Sequence, residues 1–236
     1  AIAGVLAWLL SLELFSVSIF FFLLNLAILG GALFVGRLID RLYRRTRQAV
    51  SAAEWLLALS TVTVNAAISV AGWALWKSHL LQLNLDAGIL IIVRDTLILL
   101  VAMDFALYVL HRLAHVRLFY GIAHFKHHEY RDVRTLTLFV MHPFEAAGFG
   151  VLWVTTLVIY PFAVEAVVMF LQLNLYFGVT AHCGFPLYSQ AVSRLVTRSG
   201  LTDPDFHLRH HRDEACNLGF YTTIWDRLFA TYQPRR

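Results

Sequence analysis

Residues 2–36 contain one ionisable side chain, Glu13. At about 1.5 Å of helical rise per residue, even part of that run is long enough to cross a hydrocarbon layer of about 30 Å. The rest of the chain agrees. Of its 236 residues, 59% are apolar and only 14% charged, against about 25% charged for a soluble domain. Mean hydropathy is +0.66. The apolar start has no basic flank and outlasts a signal peptide, so it reads as a retained span. The chain reads as one integral membrane domain over 1–236, without linkers and with no repeat except a recurring HxxHH.

Orientation comes from one basic segment. RLIDRLYRRTRQ (37–48) sets Arg37, Arg41, Arg44, Arg45 and Arg47 against Asp40. A cluster of this kind marks a cytoplasmic loop. Spans are expected at about 4–35, 54–76, 89–110 and 143–181, the last a helical hairpin turning near Pro161. Trp73 and Trp76 suit the interface that closes the second span. Arg94, Asp95 and Asp104 charge the third, so it faces protein or a cavity rather than lipid. The expected fold is an all-α polytopic membrane protein. It has about four transmembrane helices in two hairpins and a histidine-rich helical cytosolic cap from 111–142 and 182–236. The formal charge of +4 borders these spans, which explains it without nucleic acid. Cys183 and Cys216 form no secreted-protein framework and read as reduced thiols.

This topology brings ten of the eleven histidines to one membrane face and leaves His79 on the other. Eight of them fall in three clusters: His111/His115, His124/His127/His128 and His207/His210/His211. Spacings of three and four put imidazoles on one helical face. Each HxxHH can then give two imidazoles to one metal and the third to its neighbour. Neutral imidazole suits iron, zinc, copper or nickel. Each ligand also needs an acceptor for its other ring nitrogen. Asp104, Glu129, Asp132, Glu145, Asp203, Asp205, Asp213 and Glu214 are available. Asp104 lies two helical turns before His111, so it can orient that ring or pair elsewhere. Eight clustered histidines are too many for one ion, and a catalytic zinc takes about three protein ligands. An oxygen-activating iron pair fits best. A membrane zinc-dependent enzyme or a metal-binding transport protein is the second reading.

The same residues resemble the membrane-bound fatty acid hydroxylase and sterol desaturase superfamily, which carries HxxxH, HxxHH and a late HxxHH. His142-Pro143-Phe144-Glu145, His182-Cys183-Gly184, Asn217-Leu218-Gly219 and Trp225–Thr231 extend the likeness over about 90–233. The resemblance implies a di-iron centre, two Fe ions held almost entirely by histidine, with O2 as co-substrate. It implies hydroxylation or desaturation of a membrane lipid such as a sterol or fatty acyl chain. It makes His182 a ninth ligand, and His142 a residue that braces the cap or hydrogen-bonds a ligand. Related hydroxylases can carry a further histidine where this chain has Gly178. That position is then empty, filled by water or served by Asn174, one turn back. Electrons would come from a separate ferredoxin or cytochrome-type donor with its reductase. The compact chain and its arginine loop favour a bacterial inner membrane, with the histidines on the cytoplasmic side.

Overall fold

The computed structural model describes residues 2–46, 49–131 and 133–235. Arg47 and Asp132 therefore lie outside the described residues. The architecture is all-α, and among the described residues only isolated β-bridges interrupt it. α1 (Ile2–Ser11) is followed by α2 (Leu14–Leu42), α3 (Ala52–Lys77) and α4 (Ile89–Ala114). The short α5 (Arg117–Phe119) runs into a π-helical turn, Tyr120–His124, and then α6 (Phe125–Glu129). After a 3-10 turn at Thr135–Phe139 come α7 (Pro143–Ile159), α8 (Val164–Ala181), α9 (Gln190–Arg198), α10 (Pro204–Arg212) and α11 (Ile224–Leu228).

Three of these helices, α2, α3 and α8, are long and apolar enough to cross a membrane. The protein is thus multi-pass. The 26 residues of α4 carry Arg94, Asp95 and Asp104, and α7 is apolar but only 17 residues long. The first apolar run is not one helix. It breaks at Leu12–Glu13, where Glu13 takes an extended backbone and starts α2. A carboxylate in mid-span is costly, so the chain turns there. The Trp73 indole and the Lys77 ammonium, both near the end of α3, donate to Leu9 O (2.9 Å) and Leu12 O (3.3 Å). They tie the junction between α1 and α2 to the end of α3. The arginine segment is not all loop either. α2 continues through Arg37 and Arg41 to Leu42, because arginine is a good helix former.

α2 packs on α3, α3 on α7, and α4 on α8. A buried apolar core joins α4 and α8 through Leu99, Met103, Leu107, Ala166, Val167 and Phe170. One end of this stem is tied by polar bonds. Asn84, in the α3–α4 connection, exchanges backbone bonds with Phe162 O (2.9 Å) and Val164 N (3.1 Å). Asp95 accepts from Ala163 N at 2.8 Å, and Arg94 pairs with Asp95 and donates to the Tyr160 hydroxyl. α4 and α8 therefore start at the same end and run in the same direction. Their far ends deliver His111 and His182 together. His79 stays at the near end, in the connection between α3 and α4.

At the far end the cap is bolted to the stem. Ser51 and Glu54 form a capping box at the start of α3. Glu54 also takes a buried ion pair from Arg134. Gly36 of α2 lies directly against the Thr135 side chain, where a Cβ would have no room. These contacts hold the 3-10 turn, and so the segment leading into α7, against α2 and α3.

Candidate metal centre

Nine histidines converge in two groups. His111, His115, His124, His128 and His210 form one; His127, His182, His207 and His211 form the other. Within each group the ligand-capable atoms all lie within 4.8 Å of one another. These are the nine side chains expected from the sequence. Each HxxHH divides two to one, and the two divide in opposite senses. α6 and the turn before it give His124 and His128 to the first group and His127 to the second. α10 gives His207 and His211 to the second and His210 to the first. The π-helical turn ending at His124 widens the backbone where His124 enters the site. Such turns occur often at functional positions.

In the five-histidine group the Nε2 atoms form a chain of close approaches. His111 meets His124 at 3.1 Å, His124 meets His128 at 2.9 Å, His128 meets His210 at 3.2 Å and His210 meets His115 at 3.1 Å. The outward nitrogens settle the tautomers. His111 Nδ1 donates to Leu218 O and His210 Nδ1 to Cys216 O, both at 2.8 Å. His124 Nδ1 donates to Glu145 Oε1 at 2.7 Å. A backbone carbonyl can only accept, and so can an ionised Glu145 carboxylate, so the proton then sits on Nδ1 and the Nε2 lone pair points inward. His111 and His124 then present two lone pairs to each other at 3.1 Å. Two lone pairs repel unless a cation lies between them. The donor set fits a metal ion.

The second group repeats the pattern. His182 Nδ1 donates to Gly178 O at 2.9 Å and His127 Nδ1 to Val140 O at 3.3 Å. His182 Nε2 is buried and unpartnered. His207 and His211 approach through Nε2 at 3.1 Å. Burial keeps these imidazoles neutral, because it disfavours the charged form. It lowers His115 and His124 to about 4 and His182 to about 3. His127, His128, His207, His210 and His211 shift in the same direction, with burial the largest cause. Their lone pairs stay available to a metal at neutral pH.

The expected supporting residues have different fates. Glu145 bonds His124. Asp104 touches no histidine. It accepts from Tyr221 N (2.9 Å), Thr222 N (3.2 Å), Trp225 Nε1 (3.0 Å) and the Thr222 hydroxyl. Asn174 is also away from both groups and accepts from the Tyr221 hydroxyl at 2.6 Å. His142 caps α7, with Nδ1 accepting from Phe144 N at 3.2 Å. The Gly178 position is filled by a neighbour, since a Cβ there would lie 3.0 Å from Leu138 Cδ1. Glu129 pairs with Lys126, and Asp203 and Asp205 pair with Arg209. Trp225 and Phe229 both pack on α4, against Phe105 and Tyr108.

Reading side chains alone misses the carbonyls of Leu218, Cys216, Val140 and Gly178, which fix ring orientation without any residue-type signal. It also misses Asp226. That buried carboxylate accepts from Leu218 N (2.7 Å), Gly219 N (2.8 Å) and the Thr231 hydroxyl (2.7 Å). It thereby holds the loop whose Leu218 carbonyl accepts the hydrogen bond from His111 Nδ1.

A family model described as fatty acid hydroxylase matches residues 96–231. That is more than half of the chain, and it contains all nine histidines. The chain belongs to the fatty acid hydroxylase family. Two curated relatives of this histidine-box family are similar to it. A cholesterol 25-hydroxylase-like protein of Danio rerio is 29% identical over 145 residues, covering 61% of this chain and 57% of its own length. A Delta(7)-sterol 5(6)-desaturase of Eremothecium gossypii is 28% identical over 160 residues, covering 66% and 43%. The chain thus spans about half the length of these relatives. No solved structure matches it. The paired histidine groups fit the two-metal centre of this family.

Proposed function

We propose that this fatty acid hydroxylase family member is an O2-dependent di-iron enzyme that hydroxylates or desaturates a membrane lipid of the sterol or fatty acyl class. The observation that carries this reading is the convergence of nine neutral histidines, eight of them buried and His115 half-buried, in two adjoining groups at one end of a membrane-spanning stem. His111, His115, His124, His128 and His210 would hold one iron, and His127, His182, His207 and His211 the other. When bound, the iron pair supplies activation of O2 and oxidation of an unactivated C–H bond.

The protein supplies position and exclusion. Nδ1 acceptors lock His111, His124, His127, His182 and His210, so that their lone pairs are preorganised. The surrounding burial keeps bulk water off them. The Phe220 ring lies 5.3 Å from His111 and 6.4 Å from His207, touching both groups. Phe149 follows at 6.0 Å. These rings form the apolar floor between imidazoles and stem, along which a lipid chain would approach from the bilayer. Asp104, Asp226 and Asn174 hold the loop that carries Phe220. Electrons come from a separate ferredoxin or cytochrome-type donor with its reductase. The histidine end faces the cytoplasm, since the Arg37–Arg45 segment ends α2 and begins the connection beyond it at that end, and the host membrane is a bacterial inner membrane. Lipid profiling of an expressing host grown in air, against the same host carrying His127→Ala, tests the reading. A hydroxylated or newly unsaturated lipid present only with the unaltered protein is expected. Identical profiles would overturn it.

A further inference from the structure

Two imidazoles of the five-histidine group lack a close Nδ1 acceptor, and one carboxylate serves both. His128 Nδ1 is buried and has no hydrogen-bond partner. Its nearest carboxylate oxygen is Glu214 Oε1, at 3.7 Å. The other oxygen of the same carboxylate, Oε2, lies 3.8 Å from His115 Nδ1. These separations exceed a hydrogen bond by roughly half an ångström. His115 ends α4 and His128 sits in α6, so Glu214 faces two different histidine motifs at once. Glu214 follows α10, whose His210 completes the group. Tyr120, Glu214, His115, Arg117 and Ala215 line an open depression of about 430 Å³. The carboxylate therefore stands between this depression and the two ring nitrogens, not closed on either.

We propose that Glu214 is a positioning residue of the five-histidine site, closing one oxygen on His115 Nδ1 and the other on His128 Nδ1 when that site takes its metal. The inference rests on the two-metal reading above. Each closure fixes a ring with its Nε2 lone pair inward and makes the ligand more basic. The other three rings already have this support, from Glu145 and two backbone carbonyls. Glu214 would complete the set. The four-histidine group gains nothing from it.

The test is titration of metal-free protein in detergent with Co(II), against a competing chelator, read by the visible absorption of bound cobalt. Unaltered protein is compared with Glu214→Gln, Glu214→Ala and Asp86→Asn, the last at the opposite end of the stem. Gln can accept from only one Nδ1, and Ala from neither. The unaltered protein and Asp86→Asn should bind two equivalents. In the Glu214 variants one equivalent should weaken by roughly 10- to 100-fold, more for Ala than for Gln. The absorption of that ion should shift, while the other equivalent and the melting temperature of the metal-free protein stay unchanged. Unaltered affinity and spectrum in both variants would overturn the inference. Fewer than two equivalents in the unaltered protein would overturn the two-metal reading, and this inference with it.

Discussion

Removing the Asp104 carboxylate should release the loop that orients His111. Asp104 lies inside α4, 1% exposed, and accepts four hydrogen bonds from Tyr221, Thr222 and Trp225. In Asp104→Ala the Tyr221 N–H is left buried without a partner, at about 1–3 kcal/mol. The Thr222 N–H and the Trp225 indole N–H are part-buried and lose a charge-assisted acceptor, while the Thr222 hydroxyl can turn elsewhere. The sum is about 3–6 kcal/mol, a large part of a typical stability of about 5–15 kcal/mol. Asp104→Asn is milder. Its remaining oxygen can keep both backbone donors and its amide can donate to the Thr222 hydroxyl, so mainly the Trp225 bond is lost, at about 1–3 kcal/mol. Leu218 is three residues before Tyr221, and its carbonyl accepts the hydrogen bond from His111 Nδ1. Metal retention should therefore fall with stability. Thermal unfolding in detergent, followed by tryptophan fluorescence, should rank the proteins as unaltered, Asp104→Asn, Asp104→Ala. Metal per chain should fall in the same order. An Asp104→Ala protein that melts with the unaltered one and keeps its metal would refute the reasoning.

Other expectations follow the same geometry. Glu145→Gln keeps the size of the side chain but loses the charged acceptor of His124, so metal affinity should drop by roughly 10-fold, measured by chelator competition. Gly178→His should add no metal ligand, because Leu138 occupies that space; metal per chain should not rise, and folded yield should fall. Gly178→Ala, by contrast, trades a tight Leu138 contact for about 1 kcal/mol of helix propensity and should melt close to the unaltered protein. The metal-free protein should lose stability in acid. Burial holds His115 and His124 at about 4 and His182 at about 3, below the ordinary 6.5. A depressed histidine contributes stability that is intact above pH 6.5 and is lost as pH falls through these values. Melting temperature against pH should decline below about pH 6.5 and keep declining to about pH 4. A flat profile over that interval would contradict the burial of these rings.

Spacing made the histidines legible. Periods of three and four survive translation into helices, so α6 and α10 present the expected faces, and the two-to-one split follows from helix geometry. Hydropathy likewise exposed α2, α3 and α8. The break at Glu13 was hidden because a single carboxylate in an apolar run does not declare whether it snorkels or ends the helix. Asp104 and Asn174 were visible as unusual polar residues in apolar helices, but their partners, Tyr221, Thr222 and Trp225, come from a loop more than forty residues away in sequence. The Nδ1 acceptors were least legible. Leu218, Cys216 and Gly178 act through backbone oxygens, which every residue owns. Arg134 is buried against Glu54, a pairing between distant segments that no local pattern encodes.

On the proposed function, two irons sit in the paired histidine groups and drive oxidation of a lipid. Metal analysis of the purified protein after iron-loaded expression, with O2 consumption measured on the same sample given lipid and a reductant, tests it most directly. Two irons per chain are expected, with O2 use that His127→Ala abolishes. Active protein with zinc at full occupancy, or undiminished O2 use in His127→Ala, would contradict it.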